Sequence, residues 1–301
     1  MNIDMPAGRY VVAVSGGVDS VVLLHLLAQK MIKDDTSKIN VVVAHFDHGI
    51  RPDSAKDRQL VQKLAKKYGL PFVYDRAELG EGASEAAARE ARYGFLAKVK
   101  RAVRADAIVT AHHEDDVIET IIINWMRGTK SRGLSSLRSR EDIRRPLLGM
   151  TKKQITSYAR LHNLVWREDS TNTDETYLRN YIRKHVVLHL SDQERSRLLE
   201  HSTKAAKLND AIDSLVSQYL QKHTTSLEID RLAYRELPKE VAREVLAEWI
   251  RRHTATGVTT KLILRLDNAI RIGRNNSHVD IANNYSLHLS RTNASLRGPT
   301  T

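Results

Sequence analysis

The run Tyr10-Val11-Val12-Ala13-Val14-Ser15-Gly16-Gly17-Val18-Asp19-Ser20-Val21-Val22-Leu23-Leu24 places an apolar β-branched segment, a glycine turn and a second apolar segment in direct succession. The first segment reads as a buried strand and residues 21–27 as a buried helix. The same alternation continues outward. Residues 40–46 form a second apolar run, followed by a helical pattern over about 54–68 that Gly69-Leu70-Pro71 stops. Residues 72–75 read as a third strand, 84–103 as a long alanine-rich helix, 107–111 as a fourth strand and 115–126 as a further helix. Short apolar strands alternating with helices imply right-handed βαβ units: an α/β domain with a doubly wound parallel sheet and helices on both faces.

Beyond this block, Pro146-Leu147-Leu148 is a candidate strand and residues 151–162 a candidate helix. Residues 194–220 carry Leu198, Ala205, Leu208, Ile212, Leu215 and Tyr219 at the spacing of an amphipathic helix. Residues 238–253, with Pro238 in the first turn, and 260–270 read as two more helices. The tail alternates weakly around Asn283-Asn284, a hairpin signal. The expected organisation is a catalytic α/β domain over residues 1–190, followed by a smaller, mainly helical domain over 191–301.

At 301 residues with a 41% hydrophobic fraction, the chain has enough apolar material for a sizeable core. No apolar run approaches the ~18 residues of a membrane span, and the first residues lack the charged-then-apolar pattern of a secretory signal, so a cytoplasmic protein is expected. With no cysteine there are no disulfides, thiolate metal sites or iron–sulfur clusters. The net charge of +12 favours a polyanionic partner. It is unevenly placed: residues 1–126 hold 17 basic and 17 acidic side chains, whereas 127–183 hold 13 against 6 and 184–301 hold 18 against 13. Seven cations between Arg127 and Arg145 fall where helical periodicity is weak, and such a loop is at ease only beside something negative.

The turn Ser15-Gly16-Gly17-Val18-Asp19-Ser20 lies at the carboxyl end of the first strand, where open parallel sheets bind ligands. Two glycines let successive amides converge on an anion, and the following helix adds the positive end of its dipole. The Ser15 and Ser20 hydroxyls can donate to phosphate oxygens. Asp19 would repel phosphate unless a cation lies between them, which implies Mg²⁺ at Asp19. The bland reading is a glycine turn in which Asp19 or Ser20 simply caps the helix. Neither a Walker A nor a dinucleotide glycine pattern is present.

Ser-Gly-Gly-x-Asp-Ser after a first strand resembles the PP-loop of the N-type ATP pyrophosphatases. That resemblance implies an adenine-nucleotide α-hydrolase-like fold, a loop that grips ATP, and adenylation of an acceptor oxygen. Further segments resemble the tRNA(Ile)-lysidine synthetase family: His45-Phe46-Asp47-His48-Gly49-Ile50-Arg51-Pro52-Asp53-Ser54, Glu85-Ala86-Ala87-Ala88-Arg89-Glu90-Ala91-Arg92-Tyr93, Ala111-His112-His113-Glu114-Asp115-Asp116-Val117-Ile118-Glu119-Thr120 and Arg127-Gly128-Thr129-Lys130-Ser131-Arg132-Gly133-Leu134. Trp166-Arg167-Glu168-Asp169-Ser170-Thr171-Asn172 and Tyr177-Leu178-Arg179-Asn180-Tyr181-Ile182-Arg183 are similar to it as well. The likeness spans residues 10–183. It departs from the family at Val117, where glutamine is usual, and at Lys130, where glycine is usual, and it is weak in the C-terminal portion.

That family's chemistry joins free L-lysine to C2 of the wobble cytidine of tRNA(Ile) with a CAU anticodon, through an adenylated cytidine. A lysine amine, with an ordinary pKa of about 10.4, must lose a proton before it attacks, so a carboxylate pocket and a base are needed. Asp115, Asp116 and Glu119 share one face at a helix start and can bracket an ammonium group, and His113 can shuttle the proton. Equally, the two aspartates could cap the helix and Glu119 be solvated, and Asp116 could hold lysine or metal. The resemblance places His45, with Ser15, Gly16, Gly17, Val18, Asp19 and Ser20, around ATP. His45 and His48 could instead be packing residues. Arg89 and Arg92 suit ATP or RNA phosphates, or a pair with Glu85. Arg127, Lys130, Arg132, Arg179 and Arg183 complete the expected tRNA-binding set. Tyr93 or Trp166 could stack on a splayed base or pack in the core. Lack of cysteine argues against a tRNA thiolase, and the ~120 residues left over are too few for a glutaminase unit. A non-catalytic relic would have lost Asp19 or the acidic cluster. The resemblance leaves room for a homodimer and gives no reason to expect a membrane.

Overall fold

A computed structural model describes residues 1–33, 38–49, 54–77, 85–129, 131–168, 178–225, 227–254, 257–282 and 284–298. Of the family-like segments, residues 50–53, Lys130 and residues 169–177 lie outside the described residues. By contacts the chain divides into two units, residues 1–206 and 207–301.

The first unit is built on β1 (Gly8–Ala13), α1 (Val18–Lys33), β2 (Ile39–Asp47), α2 (Ser54–Lys67), β3 (Phe72–Arg76), α3 (Glu85–Ala102), β4 (Ala107–Val109), α4 (Glu114–Met126), α5 (Ser131–Leu134), β5 (Ile143–Arg144), α6 (Lys152–Leu161) and α7 (Leu178–His185). Its five strands are parallel throughout, in the order β3-β2-β1-β4-β5. Val12 faces Val43 on one side and Val109 on the other. Side chains alternate across the sheet, and both faces are apolar. Tyr10, Val12 and Val14 join α1, α2 and α6 in one core, while Val11, Ala44 and Ile108 pack with Phe95 and Leu96 of α3 in another. Each fully buried valine contributes about 1.5–3 kcal/mol.

Strand order reverses next to β1, because β2 lies on one side of it and β4 on the other. The carboxyl ends of β1 and β4 therefore flank a topological switch point, the place where such sheets hold ligands. Pro146-Leu147-Leu148 is a turn and not a strand: β5 ends at Arg144, and Leu147 drops its side chain fully into the α1 core. A proline followed by that burial serves a corner better than a ladder.

The division between units falls inside α8 (Asp192–His223), later than the expected boundary at 190. The early turns of this helix belong to the first unit, with Arg195 on Glu114 and Asp115 and the Ser202 hydroxyl on the Leu134 carbonyl. The second unit adds β6 (Glu228–Asp230), α9 (Arg231–Glu236), α10 (Lys239–His253), α11 (Thr260–Ile272), β7 (Ser277–Asp280), β8 (Ser286–Leu289) and β9 (Asn293–Arg297). Its helices accompany a four-stranded antiparallel sheet, β6-β9-β8-β7, of which only the tail hairpin is legible in the sequence. Trp249, Tyr234 and Leu266 centre its core, joined by Val216 and Leu220 of α8, whereas Leu208 and Leu215 of the expected stripe are exposed. Among the described residues, no helix is long and apolar enough to cross a membrane.

Candidate active site at the switch point of the parallel sheet

The loop after β1 is drawn tight by its own serines. Ser20 Oγ accepts from the Ser15 and Gly16 amides, each at 3.2 Å, and donates to the Gly17 carbonyl at 2.9 Å. Ser15 Oγ accepts from the Gly17 amide at 3.3 Å. The first helical bond of α1 runs from the Val21 amide to the Gly17 carbonyl, so the amides of Val18, Asp19 and Ser20 have no carbonyl partner one turn back. Gly16 sits at φ +99°, and a Cβ there would also stand 3.5 Å from that of Asp57. The loop is clasped from outside as well: the Arg167 amide donates to the Gly16 carbonyl at 3.0 Å, and its guanidinium pairs with buried Asp57 of α2. An oxyanion entering this cradle would exchange long, neutral hydrogen bonds for charge-assisted ones.

His45, from β2, packs behind the loop. It is 3% exposed, its Nδ1 lies 2.8 Å from the Val14 carbonyl, and its Nε2 has no hydrogen-bond partner among the described residues. Burial pushes its pKa down from the ordinary histidine value. His48 packs edge-on against Phe46. Among the described residues no three His, Asp or Glu side chains gather as a metal cage.

The acidic cluster separates into three roles. Asp115 fastens elements together: its Oδ1 accepts from the Lys152 amide at 3.2 Å and from Arg195 at 2.7 Å. Asp116 turns toward the loop. Its Oδ2 accepts from the His113 amide at 3.0 Å and lies 3.5 Å from His113 Nε2, which is itself 3.8 Å from Asp19. Burial alone would raise the Asp116 carboxyl, but His113, His112, the His113 amide and Arg183 outweigh it and hold the group below the usual range. Glu119 is fully buried rather than solvated. Arg183 Nε reaches it at 2.6 Å and Arg179 Nε at 3.2 Å, and Arg183 also reaches Asp116 at 3.3 Å. Burial raises the Glu119 carboxyl against the opposing pull of Arg183. Arg179 and Arg183, expected on a tRNA surface, are half-buried and pair with Glu119, because a carboxylate this deep needs cations beside it.

Asp19 is paired with a residue that the sequence reading missed. Lys152 Nζ lies 2.7 Å from both of its carboxylate oxygens. Lys152 stands 133 positions away on the first turn of α6. Its only local signal is the Thr151–Gln154 capping box that fixes this turn. Arg167, Asp57 and Arg195 were likewise not singled out, since each acts through a partner distant in sequence.

Of the remaining candidates, Arg89 and Arg92 lie over the face of Tyr93, their guanidinium carbons 4.7 and 5.6 Å from its ring centre. Arg127 is exposed and Arg132 half-buried. Trp166 packs against the α1 core. The structure therefore gathers Asp19, His113, Asp116 and Glu119 around one crevice, with Asp115 as its brace.

A parallel sheet with a phosphate cradle at its switch point, faced by a histidine–carboxylate pair, defines a nucleotide-binding α/β domain. Residues 2–190 match the family model described as the PP-loop domain, and the chain belongs to that family, which implies that it uses ATP. The chain is 42% identical to the tRNA(Ile)-lysidine synthase of Thermus thermophilus over 188 residues, covering 60% of this chain and 35% of that protein. It is 36% identical to that of Nitrosomonas europaea over 69% of this chain and 47% of the relative, and 30% identical to that of Persephonella marina over 93% and 63%. The chain thus spans between about a third and two thirds of the length of these relatives.

Proposed function

We propose that the protein joins free lysine to C2 of the wobble cytidine of tRNA(Ile) with a CAU anticodon, consuming ATP and releasing pyrophosphate and AMP. The observation that carries this reading is the meeting of two groups of residues. His113 Nε2 stands between the loop carboxylate Asp19 and the helix carboxylate Asp116, at 3.8 and 3.5 Å. ATP binding and amine activation would then share one crevice, as a two-step reaction through an adenylate requires. The relatives in Thermus, Nitrosomonas and Persephonella are named tRNA(Ile)-lysidine synthase, which supports this substrate.

In the first step the cytidine oxygen attacks the α-phosphorus of ATP while the loop amides and serines hold the leaving pyrophosphate. In the second, the lysine amine attacks C2 and AMP departs. Asp116 offers the carboxylate to the incoming ammonium, and His113 accepts the proton that the amine gives up. Glu119, already committed to Arg179 and Arg183, sets the orientation of this wall. Mg²⁺ brought with the triphosphate would be held by Asp19, a hard oxygen donor, and when bound would neutralise phosphate charge.

The test is mass spectrometry of the wobble nucleoside after incubation with ATP, lysine and this tRNA. Lysidine at that position is expected. An unmodified cytidine, with ATP and tRNA both bound, would remove the assignment.

A further inference from the structure

We propose that Lys152 is a nucleotide ligand, a phosphate-binding lysine supplied to the PP-loop from another element, and this rests on the ATP reading above. The loop has no lysine of its own, yet it carries an acid, Asp19, in the first turn of α1, where an anion is to be held. A triphosphate entering that turn meets this negative charge unless a cation accompanies it. The structure places one there: Lys152 Nζ contacts both Asp19 oxygens at 2.7 Å. An ammonium has three N–H donors, and the two carboxylate oxygens take at most two, so one remains for a phosphate oxygen.

The pair does not look like a device for stability. The Lys152 side chain is 44% exposed and that of Asp19 27%, and ion pairs this wet contribute little to folding. The backbone beneath Lys152, by contrast, is firmly built. Thr151 and Gln154 close a capping box, the Lys152 amide donates to Asp115, the Glu114 amide donates to the Met150 carbonyl, and Ile155 and Ala159 anchor α6 in the α1 core. A flexible four-carbon stem on a rigid base, with its charge at the mouth of an amide cradle, is the arrangement that suits phosphate capture.

The experiment measures affinity for ATP and for AMP by calorimetry in EDTA, so that only protein cations act, in the wild type, Lys152→Met and Lys152→Arg. ATP affinity is expected to fall about tenfold or more in Lys152→Met, with AMP affinity unchanged and Lys152→Arg retaining most of the ATP affinity. In turnover with Mg²⁺, the KM for ATP should rise while the KM for lysine stays level. Equal losses for ATP and AMP would mean that Lys152 merely shapes the loop and would overturn the proposal, as would an unchanged ATP affinity in Lys152→Met. A wild type that fails to bind ATP with Mg²⁺ present as well as in EDTA would instead overturn the underlying reading. Should Lys152→Met not fold, Lys152→Gln provides the same comparison.

Discussion

Two side chains in the crevice are costly in isolation, and both have measurable signatures. Glu119 is fully buried between two guanidinium groups. Glu119→Gln keeps its shape and removes its charge, leaving Arg179 and Arg183 facing each other. Removing one partner of such a network costs about 3 kcal/mol, which a shift of the urea midpoint at constant slope would register. An unchanged midpoint would mean that the arginines relax to solvent. His112, which bonds Thr110 through Nδ1, is the second case. Burial, reinforced by Arg145, Arg92 and Arg89, pushes it down to about 3 despite Asp116. Between about pH 3 and the ordinary histidine value of 6.5 the unfolded chain binds a proton that the folded chain refuses. Stability should therefore rise with pH across that window and level off above it. Relative to His112→Asn, the wild type should lose about 1.4 kcal/mol per pH unit on acidification. Parallel profiles would place His112 in water.

At the scale of elements, what could be read beforehand follows from whether an interaction is local. The strand, glycine turn and helix over residues 8–33 show themselves through periodicity and turn chemistry, because every determinant is a near neighbour in sequence. Lys152 on Asp19, Arg183 on Glu119 and Arg167 on Gly16 were invisible, because each joins elements 64 to 151 positions apart and no periodicity encodes them. Beyond its tail hairpin, the sheet of the second unit escaped for another reason. Its strands are three to five residues long, and Glu228-Ile229-Asp230 has only one strongly apolar residue with which to declare itself. The glycine turn itself can be tested at this scale. Gly16→Ala forces φ +99° on a residue with a Cβ, at a cost of about 1–3 kcal/mol. The added Cβ makes only ordinary contacts, so the variant should fold while its ATP affinity falls well below that of a Gly69→Ala control, which also has a positive φ, +65°, and whose added Cβ meets nothing. Equal ATP affinities would show that the turn is not the cradle.

Over the whole molecule, charge is segregated, and the proposed function gives the excess a polyanionic partner. Residues 1–126 are electrically balanced, while 127–183 carry a net +7. Within the latter, Lys152, Arg167, Arg179 and Arg183 are paired with acids at or beside the crevice. Exposed Arg127 and Arg140 lie on the segment that follows the acidic helix, and under the proposed function they are cations offered to an RNA backbone. Phosphate contacts release counterions, so the logarithm of the tRNA association constant should fall linearly with the logarithm of salt concentration. Each phosphate neutralised contributes a slope of about −0.7 to −0.9. Arg127→Gln and Arg140→Gln together should make the slope shallower by roughly 1.5 and weaken binding of any tRNA about equally, since phosphate contacts position without specifying sequence. ATP affinity should not change, because neither residue belongs to the cradle. A double variant with the wild-type salt slope would put the RNA on another face, and a loss confined to tRNA(Ile) would make these arginines readers of bases.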